Sequence, residues 1–264
     1  MFRLYRTREA RIGRQWVRVS VIAALVGSGC WHSQAEDATG PVAALVTTQA
    51  TAPASAVSKS GLTADQALQR LIAGNERYVT GTATHPDQTI QRRAEVAKGQ
   101  FPFAIVLTCS DSRVAPEILL DQGLGDLFVI RNAGNILDDH VIGSMEYAVE
   151  HLHVPLVLVV GHEKCGAISA AVAGGEASGH IHSLVEAIEP VVKQVKNLPG
   201  DPVENVVRAN AQRIAETLTR SEPILKEAVN KGKLLVVPAR YDLVTGHLEI
   251  LKQPAPTASK PQPD

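Results

Sequence analysis

Two short stretches carry most of the chemistry that this sequence offers. The first is Cys109-Ser110-Asp111-Ser112-Arg113, and the second is His162-Glu163-Lys164-Cys165. Two cysteines and one histidine supply thiolate and imidazole donors, which select zinc over magnesium or calcium. A zinc held by three protein ligands is catalytic when its fourth position takes a water that ionises near neutral pH to give a nucleophilic hydroxide. Here either Asp111 or a water can fill that position. Arg113 lies two residues beyond Asp111, and a bidentate pair between them would hold the carboxylate off the metal. The freed carboxylate could then accept a hydrogen bond from the hydroxide and orient it. Asp111 bound to zinc would instead close the site. Three other readings use the same residues: a Cys109–Cys165 disulfide, a dithiol redox pair, and a zinc site with no turnover. Alone, His-x-x-Cys or Cys-x-Asp is commoner in an ordinary core than at a metal. Their joint placement at two strand ends gives the pattern its weight.

The elements that must position these residues follow from hydropathy. Phe103–Thr108, Asp126–Ile130, Pro155–Val160 and Leu234–Val237 are short apolar runs, which suit strands buried on both faces. Leu248-Glu249-Ile250 follows a turn at Val244-Thr245-Gly246. Between the runs lie helical patterns at Asp138–His151, Gly166–Ala173, Ile181–Asn197 and Val203–Thr219. Thr63-Ala64-Asp65-Gln66 reads as a capping box opening an amphipathic helix, and Gln88–Lys98 as a second, polar helix. Alternating buried strands and helices predict an α/β fold with a mostly parallel sheet covered on both faces. Both chemical motifs fall at carboxyl ends of strands, where such sheets bind ligands.

The chain has 264 residues, 45% hydrophobic, 20% charged and 4% aromatic, a balance that excludes fibrous and wholly disordered polymers. Its formal net charge of −1 conceals an asymmetry. Arg3, Arg6, Arg8, Arg11, Arg14 and Arg18 face only Glu9 within residues 1–35, a net of +5, so the remainder sums to −6. A basic stretch, an apolar run from Val19 to Gly29 and Ser33-Gln34-Ala35 together have the form of a secretory signal peptide, with Glu36 as the new start. Lipoprotein processing at Cys30 is the rival reading of the same leader. Residues 36–61 read as a flexible tether, 62–252 as the folded domain, and 253–264, with four prolines, as a tail. A periplasmic or secreted location follows as an expectation, with no stable membrane insertion. The basic residues show no aromatic interleaving, which gives nucleic-acid binding no support.

The motifs, taken in order, resemble the β-class carbonic anhydrases. The similarity covers Cys109–Val114, Gly123–Asn135, Ser144–Ala148, Gly161–Gly166 and Tyr241–Gly246, and extends from about Ala64 to Leu251. It implies one zinc per chain on Cys109, His162 and Cys165, with Asp111 as a switchable fourth ligand paired to Arg113. The implied reaction is reversible hydration of carbon dioxide to bicarbonate and a proton. Hydrolysis of carbonyl sulfide or carbon disulfide on the same scaffold, or zinc binding without catalysis, are the alternatives. The resemblance also implies a homodimer or higher even oligomer, with Leu62–Tyr78 as an arm packing on a partner subunit. Gln122 and the Gly166 N–H, at a helix N-terminus, are candidate substrate contacts. Asp121, Asp126, Asp138 and Asp139 read as solvated or capping groups, and Arg131 and Asn132 as residues that fix their loop.

Overall fold

A computed structural model describes residues 61–175 and 177–252. The leader, nearly all of the tether, the tail, Cys30 and both tryptophans lie outside the described residues.

Five strands form one sheet in the order β2-β1-β3-β4-β5. They are β1 (Ala104–Cys109), β2 (Leu127–Asn132), β3 (Leu156–His162), β4 (Leu235–Tyr241) and β5 (Leu248–Ile250). The first four run parallel and β5 pairs antiparallel with β4. Every residue of β1 and β3 is buried. Ala104, Val106, Leu156, Leu158 and Val160 pack into the core on one face, and Ile105, Leu107, Val157 and Val159 into the core on the other. That two-sided burial is why these strands read as unbroken apolar runs.

Both site-bearing strands start one residue later and run on further than hydropathy predicts, β1 to Cys109 and β3 to His162, because pairing with β2 and β4 continues to those residues. Strand β4 continues through Pro238 to Tyr241, although proline lacks the N–H that a ladder uses. The Pro238 carbonyl accepts from Leu251 N–H on the β5 side, while β5 itself pairs only from Ala239 to Tyr241. A strand residue directs its N–H and C=O to the same side, so the missing donor falls beyond the end of β5 and takes nothing from the pairing with β3.

The helices are α1 (Ala64–Val79), α2 (Ile90–Val96), α3 (Pro116–Leu119), α4 (Asp139–Glu150), α5 (Gly166–Ala173), α6 (Ile181–Val195), α7 (Pro202–Arg220) and α8 (Ile224–Asn230). Helices α3 and α8 and a 3-10 turn at Ala133–Asn135 are absent from the sequence reading, being too short to show a period. The capping box of α1 is present in full: Thr63 Oγ1 accepts from Gln66 N–H and Gln66 Oε1 from Thr63 N–H. Ala67 and Leu71 of α1 are buried within this chain, with Leu68 packed partly buried against the same core. Gly74 allows this approach, since a Cβ there would stand 1.8 Å from the Leu120 carbonyl oxygen.

Asp121 and Asp126 are corrected: both are buried rather than solvated. Asp121 accepts from Arg77, Thr84 and His85, and Asp126 accepts from Gly123 N–H beside Arg70 and Arg92. Asp138 caps α4 through Val141 N–H, as expected. No helix among the described residues is long and apolar enough to cross a membrane.

Candidate metal centre

The strand order places the two motifs together. From β1 the chain moves outward to β2, and from β3 it moves the other way to β4. The carboxyl ends of β1 and β3 therefore flank the switch point where open α/β sheets form a crevice. Thr108 pairs with Val160, so Cys109 and His162 both lie just past the last rung shared by the two strands. Lys164 takes a left-handed conformation (φ 52°), and this tight turn leads from His162 to Cys165 at the cap of α5.

Cys109, His162 and Cys165 are all buried, and their donor atoms lie within 4.8 Å of one another. The two sulfurs are 4.0 Å apart and free, with no disulfide between them. The hydrogen bond with Cys165 is the main cause that pulls the Cys109 thiol down to about 4, against burial. His162 and the N–H groups of Gly134 and Asp111 add to it. Cys165 moves the other way, pushed up by its anionic neighbour and by burial, while Ile168 and Ala167 N–H at the start of α5 oppose the rise.

His162 Nδ1 lies 2.9 Å from the Glu163 carbonyl oxygen, so the neutral ring carries its proton there and leaves Nε2 as the donor atom. Nε2 is buried and without a hydrogen-bond partner. An orphaned nitrogen beside two buried sulfurs fits zinc, whose tetrahedral sites take this donor set.

Asp111 lies beside the trio, with Oδ2 3.9 Å from His162 Nε2. Arg113 holds it through three donors: Nε to Oδ1 at 2.9 Å, Nη2 to Oδ2 at 2.7 Å and backbone N–H to Oδ1 at 3.0 Å. This pairing keeps the Asp111 carboxyl well below the usual carboxylate range, against a smaller effect of burial. Arg113 Nη2 also reaches the Lys164 carbonyl at 3.4 Å, tying the two motifs together. Arg131 fixes the Cys109–Asp111 segment by donating to the carbonyls of Cys109 (3.0 Å) and Asp111 (2.7 Å). Asn132 donates to the Ile136 carbonyl. Asn132 thus fixes the loop after β2, as expected, whereas Arg131 fixes the segment after β1 instead.

The two remaining candidates are less closely engaged. Gly166 is the first residue of α5, and space around its Cα is open. Gln122 is buried, with Nε2 donating to the Leu120 carbonyl and Oε1 accepting from Arg70. Its amide is thus engaged with α1 and its own loop. Sequence reasoning missed Gly134, whose N–H donates to Cys109 Sγ at 3.3 Å. The Gly134-Asn135 pair after a strand was the available signal for a left-handed turn, and both residues have positive φ.

Comparison with known proteins agrees with this geometry. A family model described as carbonic anhydrase matches residues 104–248, which include all five residues of the site. Carbonic anhydrase 2 of Mycobacterium tuberculosis is 40% identical over 184 residues, covering 68% of this chain and 89% of the relative. Among solved structures, the β-carbonic anhydrase CafA of Aspergillus fumigatus superposes with a TM-score of 0.59 at 27% identity, over 72% of this chain and 92% of that one. The chain belongs to the β-carbonic anhydrase family. A tetrameric β-carbonic anhydrase of Sordaria macrospora gives a TM-score of 0.58 at 25% identity, over 70% and 96% of the two chains. The part of this β-carbonic anhydrase that precedes its folded domain lies outside the family match.

Proposed function

We propose that this protein is a zinc enzyme that interconverts carbon dioxide and water with bicarbonate and a proton. The observation that carries the proposal is the buried sulfur–sulfur–nitrogen trio with an unpartnered His162 Nε2 beside a carboxylate fixed by Arg113. Cys109, His162 and Cys165 hold the ion, which when bound supplies the Lewis acidity that lets a water ionise near neutral pH. Asp111 keeps Oδ2 3.9 Å from His162 Nε2, where it would accept a hydrogen bond from the attacking water and orient it toward carbon dioxide. Arg113, bonded to both carboxylate oxygens, would hold Asp111 back from a bound ion. Arg131 fixes the backbone beneath both. Gly166 N–H, at the N-terminus of α5, serves bicarbonate.

The test is stopped-flow hydration of carbon dioxide by zinc-loaded protein. Wild type should turn over, whereas Asp111→Asn and Arg113→Ala should lose most of the rate with zinc content unchanged. Metal-replete wild type without hydration would overturn the reading.

The proposal extends to assembly and location. The working unit is a homodimer or higher even oligomer, in which a partner completes the substrate pocket, and sedimentation should show an even multiple of the protomer. Residues 1–35 direct export, and the mature chain begins near Glu36. Mass spectrometry should find that start, and the mature protein should show almost no tryptophan fluorescence, because Trp16 and Trp31 precede it. Full-length chain found only in the cytosol would remove this part.

A further inference from the structure

Asn210 is a polar residue on a helix stripe that is otherwise apolar. Helix α7 buries Val206, Val207, Ala211, Ile214, Ala215 and Leu218, and Asn210 sits among them, 1% exposed. A buried amide in such a place has to make hydrogen bonds to offset its lost hydration. Asn210 Nδ2 donates to the Gly134 carbonyl at 3.1 Å, across 76 residues of sequence. Gly134 in turn donates its N–H to Cys109 Sγ at 3.3 Å. The turn has few alternative positions. Gly134 is left-handed (φ 78°), and a Cβ there would stand 2.9 Å from Ile188 Cδ1 and 3.2 Å from Ala167 Cβ. Helix α7 is itself held close to β3 at Gly161, where a Cβ would be 3.1 Å from the Val207 carbonyl oxygen.

We infer that Asn210 is a positioning residue for the metal centre: by anchoring the Gly134 carbonyl it fixes the left-handed turn at Gly134, whose N–H, in the preceding peptide unit, is a hydrogen-bond donor to the Cys109 sulfur. The inference rests on Cys109 being a zinc ligand. A donor to a ligating thiolate fixes its orientation and draws charge from the sulfur, and partners of this kind are typically worth about 10–100-fold in metal affinity. Without Asn210, the Gly134 carbonyl loses its buried donor, the turn at Gly134 is less tightly held, and the adjoining N–H can shift away from Cys109.

The experiment compares Asn210→Leu with Asn75→Leu in the otherwise intact protein. Asn75 is also buried and amide-bonded to backbone, at the Leu119 and Gly246 carbonyls and Leu248 N–H. Both variants lose buried hydrogen bonds, but only Asn210 is linked to Cys109. The readouts are the rate at which a chelator extracts zinc, the sulfur-to-metal charge-transfer band of the cobalt-substituted protein, and the melting temperature. Asn210→Leu should release zinc about tenfold faster or more and shift the band to longer wavelength. Asn75→Leu should lower the melting temperature with zinc release and band as in wild type. Asn210→Ser, which keeps a shorter donor, gives the same two readouts should the leucine variant not fold, with an intermediate shift expected. Unchanged release and band in the Asn210 variants, or zinc release that tracks melting temperature in both series, would overturn the inference. Wild type that binds no zinc would overturn the proposed function instead, so the two failures are distinguishable.

Discussion

Two buried polar clusters in this fold differ in completeness. Where α1 meets the α3–β2 loop, Asn75 donates to two carbonyls and accepts from Leu248 N–H, while Asp121 accepts from Arg77, Thr84 and His85. Each polar atom of these two side chains has a partner. At the carboxyl edge of β1 and β3, Cys109, His162 and Cys165 are as deeply buried, yet His162 Nε2 has none and the two sulfurs face each other. Burying polar groups is ordinary when partners satisfy them and unfavourable when they are missing. A chain that completes one cluster and leaves another incomplete marks the second as a place that a ligand completes. The first cluster is complete within the fold; the second has the donors to hold a metal ion.

The sharpest way to break this comparison is to remove a donor from each cluster. His162→Ala should reduce both zinc content and carbon dioxide hydration to background, with the sheet intact by circular dichroism. Smaller but still large, Asp111→Asn should lower the rate on the order of a hundredfold while zinc content stays at wild type. Equal loss of zinc in that variant would mean that Asp111 serves as a ligand rather than as an orienting acceptor. Next, Asn75→Ala should cost about 1–3 kcal/mol of stability in urea unfolding, with zinc content unchanged.

The smallest effect is in the pH dependence of stability. Burial raises the Asp121 carboxyl, but Thr84 N–H, Arg77 and His85 N–H outweigh it and hold the group well below the usual carboxylate range. A carboxyl depressed in the folded state contributes stability above its unfolded value, about 3.9, and loses that contribution as pH falls. Wild type should therefore weaken below about pH 4. Asp121→Asn should be less stable at neutral pH and show a flatter acid limb in urea unfolding.

Much of this architecture was legible from residue pattern. The buried strands could be read because both faces of β1 and β3 are covered, leaving no polar alternation to confuse the run. The Cys109–His162–Cys165 trio could be read because two thiols and an imidazole fell at the ends of two parallel strands, and the fold brings them together. Polar burial was harder. Asp121 and Asp126 read as surface groups because an aspartate shows nothing in sequence of the distant arginines that pair with it. Asn210 was overlooked for a similar reason: its partner is a backbone carbonyl 76 residues away. A polar residue within an apolar helical stripe was the available clue. Pro238 ended the predicted fourth strand early, since which side of a strand a missing N–H faces is decided only by sheet order.

The central claim is that an incomplete trio is completed by zinc. X-ray absorption at the zinc edge of the purified wild-type protein tests it most directly. The account predicts about one zinc per chain, with two sulfur neighbours at about 2.3 Å and one imidazole. Protein that carries no zinc, or zinc with no sulfur in its first shell, would contradict it.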